Sequence, residues 1–227
     1  MIPLIWFGPV WSGQVRGSVP EGYRLHVVGC VANVDPKHKR CTDEAAKWKG
    51  HDGRRLPGLR RALGLDVGSR PVLAAFSAGG QCIRRLLLDP RDRAEIGGVY
   101  LADASYGEWE SPGVVRVDEL QEALVSFAVE AAADGRPLVM TASSHVPGGA
   151  GPSASAVLQR LHHAIEARGQ GAFCKVAPGD PVLADLGSPV YAMRLRSVLY
   201  VDFGREVAHA GHATKLAPVL LPRILAA

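Results

Sequence analysis

The sequence predicts an α/β fold, with one mostly parallel central sheet and helices on both faces. Three observations carry this. Short apolar runs alternate with helically periodic segments from end to end, the pattern of strands joined by crossover helices. The 227 residues suit one such layered core, read as a single domain over residues 1–227. The polar residues with chemical potential also fall just after apolar runs, where an open parallel sheet gathers its ligands.

Taken in order, the apolar runs place strands at about 2–8, 24–30, 71–77, 97–103, 137–143 and 191–203, the last broken around Arg194 to Arg196. A helix opens at Gly79, with Ile83, Leu86 and Leu87 on one face. A second spans Val117 to Ala133, where Leu120, Leu124, Phe127 and Val129 recur at nearly helical spacing. A third runs from Ser153, its expected N-cap, to Arg168 and carries Val157, Leu158, Leu161 and Ile165. The last covers about His212 to Leu225. Pro147–Pro152 and Ala177–Pro181 are loops by composition, and both are too short to link two domains.

Composition narrows the function classes. With 47% hydrophobic and 21% charged residues, the chain matches ordinary globular usage and neither a disordered tail nor a coiled coil. Its apolar runs fall far short of the ~20 residues a membrane-crossing helix needs. Met1–Gly8 lacks a basic leader and reads as a first strand, not a secretory signal. Cys30, Cys41, Cys82 and Cys174 show no C-x-x-C spacing, which points to reduced thiols and a cytoplasmic address, with Cys30 and Cys41 the one pair worth testing for a bridge. Lys37, Lys39, Arg40, Lys47, Lys49, Arg54, Arg55, Arg60 and Arg61 crowd one segment. Without a nucleic-acid-binding motif beside it, this cluster reads as a solvated face and argues against a nucleic-acid partner.

The most informative segment is Pro71-Val-Leu-Ala-Ala-Phe-Ser77-Ala-Gly-Gly80. A buried strand passes through one serine into a glycine pair and a helix, the strand-turn-helix of a nucleophile elbow, with Ala75 at the first small position and Gly79 at the second. The strand at 97–103 delivers Asp103, and the strand ending near 203 is followed by His209 and His212. A serine hydroxyl is a weak nucleophile at neutral pH and needs an imidazole to take its proton. That imidazole needs a carboxylate on its other nitrogen to fix the tautomer and stabilise the imidazolium.

With serine elbow, acid and histidine in this chain order, the sequence resembles the α/β-hydrolase superfamily, a likeness that spans Met1 to the C-terminal helix. The resemblance implies a compact hydrolase-like domain without a large lid, in which Ser77 attacks, Asp103 orients and His212, immediately before the last helix, shuttles the proton. His209 is the alternative base. Many members place the acid one strand later, but here that strand runs into Thr141-Ala-Ser-Ser-His145 without a carboxylate. Asp103 resembles the earlier placement of some lipases, with Asp180 and Asp185 in reserve. The resemblance also implies an oxyanion hole from the amide of Ala78 and an amide of Val10 or Trp11, since Pro9 has no N–H to give.

Tyr106, Trp109 and His145 lie just past strand ends and are expected to line the substrate cleft. His162 and His163 read as helix-surface or packing residues, Cys82 as a core thiol and Asp202 as support for the histidine loop. The resulting expectation is a serine hydrolase, an esterase acting on a small or medium acyl substrate through an acyl-enzyme and needing neither metal nor organic cofactor. A noncatalytic binding or scaffold protein of the same architecture is the alternative. A metal hydrolase using His209, His212 and Asp103 or Asp202 ranks third, because H-x-x-H lacks the embedded glutamate of the zinc motif.

Overall fold

The computed structural model describes residues 1–8, 15–29, 55–146, 151–169, 171–177, 179–184 and 186–225. Its centre is an eight-stranded sheet. The strands are β1 (Ile2–Gly8), β2 (Tyr23–Gly29), β3 (Val72–Phe76), β4 (Gly98–Ala102), β7 (Leu138–Ala142), β8 (Cys174–Lys175), β9 (Tyr191–Leu195) and β10 (Val198–Asp202), in spatial order β2-β1-β3-β4-β7-β10-β9-β8. From β2 to β10 every pairing is parallel; β9 and β8 add an antiparallel edge. β5 (Trp109–Ser111) and β6 (Val114–Val115) form a separate small hairpin, which the apolar pattern did not foretell because its residues are few and largely exposed.

The run over 191–203, expected to break around Arg194 to Arg196, does so as a hairpin. It turns after Leu195 at Arg196, which takes φ 52°, and Leu195 faces Val198 across the turn. β3, β4, β7 and β10 are buried along their whole lengths, as strands covered on both faces must be, and hence read as continuous apolar runs rather than alternating ones.

Helices cover both faces. One face carries α1 (Leu56–Leu63), α2 (Gly80–Leu86), α4 (Glu119–Asp134) and α5 (Ala154–Glu166), whose Leu59, Ile83, Phe127 and Leu161 pack with Ile5, Leu73 and Leu101 of the sheet. A short α3 (Pro90–Ala94) follows α2. The opposite face is closed by the C-terminal segment: α6 (His209–Gly211), a wider π turn over His212–Leu216, and α7 (Ala217–Leu225). Its Leu216, Leu220 and Leu221 pack on Leu4, Trp6, Tyr100 and Val201. This last element begins three residues earlier than the sequence suggests, which decides which histidine meets the sheet edge.

Local signals fix the ends of the longer helices. Asp118 caps α4 by accepting from the amides of Leu120 and Gln121, and the Gln121 side chain reaches back to the Asp118 amide, completing a capping box. Ser153 caps α5 through the Ala156 amide, as its position predicts. The order of the sheet then positions the site: β1 is flanked by β2 on one side and β3 on the other, so the crossover direction reverses there and leaves a crevice beyond the carboxyl ends of β1 and β3.

Candidate active site

Ser77 stands at that crevice. β3 ends at Phe76, Ser77 takes φ 55°, and a single 3-10 turn over Ser77–Gly79 leads into α2. A left-handed conformation at a non-glycine residue costs ~1–2 kcal/mol, and it aims the side chain out of the sheet at the apex of the turn. Two glycines let the turn close. A Cβ on Gly79 would lie 2.3 Å from the Phe7 carbonyl oxygen of β1, and one on Gly80 would lie 2.1 Å from the Ala104 carbonyl oxygen beyond β4. The elbow is thus wedged between the ends of two strands, and its glycines are contact residues.

Asp103 follows β4, the next strand over, and also has a left-handed backbone, φ 45°. Its carboxylate is fully buried, and both of its oxygens are hydrogen-bonded. Oδ1 accepts the Ser143 amide at 2.9 Å, while Oδ2 accepts the Ser143 hydroxyl at 2.6 Å and lies 2.6 Å from His209 Nδ1. Burial alone would raise this carboxyl, yet the hydrogen bond from His209, the nearby His212 and the Ser143 hydroxyl together hold it below the ordinary aspartate value. Asp103 is therefore an anion at neutral pH.

His209 completes the line: its Nε2 lies 3.0 Å from Ser77 Oγ. The preference for His212 is corrected here. His212 is buried, its Nδ1 lies 2.8 Å from the Thr141 hydroxyl of β7, and its ring meets Phe203 edge-on. Burial pushes His212 down to about 4, with Asp103 opposing and His209 assisting, so it is neutral at physiological pH. The physical reason lies in the helix start. Because the turn opens at His209, that residue sits at the sheet's rim, whereas His212, one turn on, points into the packed face beneath it.

The His209 ring is held on two sides. Phe76 lies at 4.5 Å between centroids and His145 stacks at 4.7 Å with an interplanar angle of 17°. His145 itself is placed by Ser143, whose hydroxyl accepts the His145 amide at 3.2 Å. Tyr106 puts its hydroxyl 3.0 Å from His209 Nδ1, so it touches the site with a polar atom and not only as an apolar wall. Trp109, on β5, is 40% exposed. Val10 and Trp11, expected to give a second oxyanion amide, lie outside the described residues. Ala78 lies in the 3-10 turn directly after Ser77.

Sequence reasoning did not foresee the part of Ser143, Thr141 and Phe76 in holding these groups. Ser143, beside His145, was legible as a residue able to line the cleft; nothing in the chain says that it doubly binds a carboxylate 40 positions earlier. Asp202 is bound to the Ser155 hydroxyl at 2.7 Å and to the Gly204 amide at 2.8 Å, so it supports the loop leading to His209. Of the reserve acids, Asp180 pairs with Arg194 and Asp185 lies outside the described residues. His162 pairs with Glu166 within α5. Cys82 is half-buried on α2 against the core, while Cys30 and Cys41 lie outside the described residues.

Of the basic cluster, Arg55 pairs with Asp89 and Asp92, and buried Arg60 binds Glu95 and the Ser69 carbonyl. Both arginines thus serve local structure. Among the described residues no group of three or more His, Cys, Asp or Glu side chains is placed to hold a metal ion, and no helix is long and apolar enough to cross a membrane. Compared with protein-family models, with curated proteins and with solved structures, the chain matches none.

Proposed function

We propose that this protein is a serine hydrolase that cleaves an ester or related acyl bond through an acyl-enzyme, on an α/β-hydrolase-like domain. The observation that carries the reading is the unbroken line from Asp103 Oδ2 to His209 Nδ1 at 2.6 Å and from His209 Nε2 to Ser77 Oγ at 3.0 Å. A hydroxyl, an imidazole and a buried anion in this order are the parts that acyl transfer needs.

In the proposed cycle His209 carries its proton on Nδ1, facing Asp103, and leaves Nε2 bare. Ser77 Oγ attacks the acyl carbon as its proton passes to Nε2. The tetrahedral oxyanion takes a hydrogen bond from the Ala78 amide, and losing such a donor typically costs ~3 kcal/mol of transition-state stabilisation. Collapse breaks the bond to the leaving-group oxygen, which departs with the Nε2 proton, and leaves the acyl group on Ser77. Water then repeats the sequence: His209 takes its proton, the hydroxide attacks, and Ser77 Oγ leaves reprotonated. Throughout, the Asp103 carboxylate balances the imidazolium without taking a proton.

A fluorophosphonate probe tests this reading. Stoichiometric labelling of the protein that disappears in Ser77→Ala supports it, with loss of short-chain ester hydrolysis and an unchanged fold in the same variant. Folded protein that takes no label favours the noncatalytic binding or scaffold alternative.

A further inference from the structure

His209 Nδ1 has one proton and two oxygen neighbours. Asp103 Oδ2 lies at 2.6 Å and the Tyr106 hydroxyl at 3.0 Å. If Nε2 is bare to receive the Ser77 proton, Nδ1 must be a donor, so the Tyr106 oxygen faces it as a second acceptor. The phenolic proton is then directed away from the ring. Burial, and the Asp103 charge beside it, raise the phenol above its ordinary value.

The position of Tyr106 is built, not incidental. Its carbonyl accepts from Arg84 Nη1 at 2.6 Å and from Gln121 Nε2 at 3.2 Å, and both side chains are almost wholly buried. Arg84 belongs to α2, which follows the elbow, and Gln121 belongs to the capping box of α4. Gly107 makes room for this clamp, because a Cβ there would lie 2.7 Å from Gln121 Nε2. Burial pulls Arg84 down to about 10, which leaves it charged near neutrality. A buried cation and a buried amide converging on one carbonyl fix the residue that bears the phenol.

We infer that Tyr106 is a positioning residue of the proposed serine hydrolase, its hydroxyl sharing His209 Nδ1–H with Asp103. This inference rests on the acyl-transfer reading. In the resting enzyme the phenol and the Asp103 carboxylate flank the same nitrogen and hold the imidazole ring with Nε2 towards Ser77. When the imidazolium forms, the phenolic oxygen takes part of its Nδ1–H charge. Burial and the Asp103 charge both raise the Tyr106 hydroxyl above its ordinary value, against the opposing effect of Ser77, so it is a proton donor across the neutral range.

The test is Tyr106→Phe in the full chain, read by fluorophosphonate labelling and short-chain ester turnover across pH. Asp103, His212, His145 and Tyr106 are the titratable groups that face His209. The expected result is a roughly tenfold or greater fall in kcat with KM little changed, the size expected for losing a hydrogen bond to a charged centre. The acid limb of the labelling profile should move to lower pH, because the imidazolium loses an acceptor. The downfield Nδ1–H proton resonance of His209 should move further downfield as Asp103 takes the whole bond, a readout that needs no turnover. If the variant fails to fold, 3-fluorotyrosine incorporated throughout the parent weakens the phenol as an acceptor and should shift the same limb in the same direction. Parent protein that labels, with kcat, limb and resonance all unmoved by the change, overturns the Tyr106 assignment alone. Parent protein that takes no label at Ser77 overturns both it and the acyl-transfer reading.

Discussion

Asp103 and Ser143 are joined twice, amide to Oδ1 and hydroxyl to Oδ2, across the ends of the neighbouring strands β4 and β7. This pair of hydrogen bonds leaves the carboxylate little freedom, so the oxygen that faces His209 is chosen by the sheet itself. The same Ser143 hydroxyl accepts the His145 amide and so sets the ring that stacks on His209. One small side chain thereby orients both the anion behind the imidazole and the ring above it.

Ser143→Ala removes the hydroxyl while keeping the amide bond. A buried hydrogen bond to a charged acceptor is worth ~1.5–3 kcal/mol, so the variant should melt at lower temperature by a corresponding amount. On the proposed reading its turnover should also fall, because Oδ2 is free to rotate from Nδ1. Thermal melts beside probe-labelling rates check both; a stable variant with parental labelling would show that the amide suffices.

The two histidines separate cleanly by substitution. His209→Asn should abolish fluorophosphonate labelling, since no other imidazole has a nitrogen within bonding distance of Ser77 among the described residues. His212→Asn, whose amide can still meet the Thr141 hydroxyl, should retain labelling. The opposite pattern would return the base to His212.

That distinction shows where the sequence stopped being legible. The parallel sheet, the elbow and Asp103 could be read because each depends on local pattern: an apolar run, a serine before small residues, a carboxylate at a strand end. Choosing between His209 and His212 depends on where a helix takes its first turn, and Ala208-His-Ala-Gly-His-Ala carries no side-chain cap to mark it. The break near Arg196 was legible but its tight antiparallel reversal was not, since an arginine in the left-handed region gives no glycine or asparagine signal. Contacts such as Ser143 on Asp103 or Arg84 on the Tyr106 carbonyl join distant positions and leave no periodic trace.

His212 also gives the protein an acid-sensitive core. Its folded value of about 4 lies below the ordinary 6.5, so between these values the unfolded chain binds a proton that the native state refuses. Stability therefore falls as pH drops from 6.5 towards 4, by about 3 kcal/mol in total if the whole shift is expressed. Asp103 adds to this only lower down, below the ordinary aspartate value of 3.8, where its depressed carboxyl at last protonates and its stabilising bonds are lost. Denaturant unfolding at stepped pH checks the first window, and His212→Asn should flatten it.

The elbow stores strain that a substitution should release. Ser77 holds φ 55° without the freedom of glycine, at a cost of ~1–2 kcal/mol. Ser77→Gly should therefore abolish labelling and at the same time raise the melting temperature, provided that the hydroxyl contributes no more than its one bond to His209. Gly79→Ala should do the reverse to stability, because its Cβ would be driven to 2.3 Å from a strand carbonyl that cannot move without breaking β1 from its partners. A loss of more than ~2 kcal/mol is expected from such an overlap, at the upper end of ordinary single substitutions. Measuring both by chemical denaturation separates strain at Ser77 from packing beneath it: if Ser77→Gly is no more stable than the parent and Gly79→Ala no less, the wedged elbow is not what holds Ser77 in place.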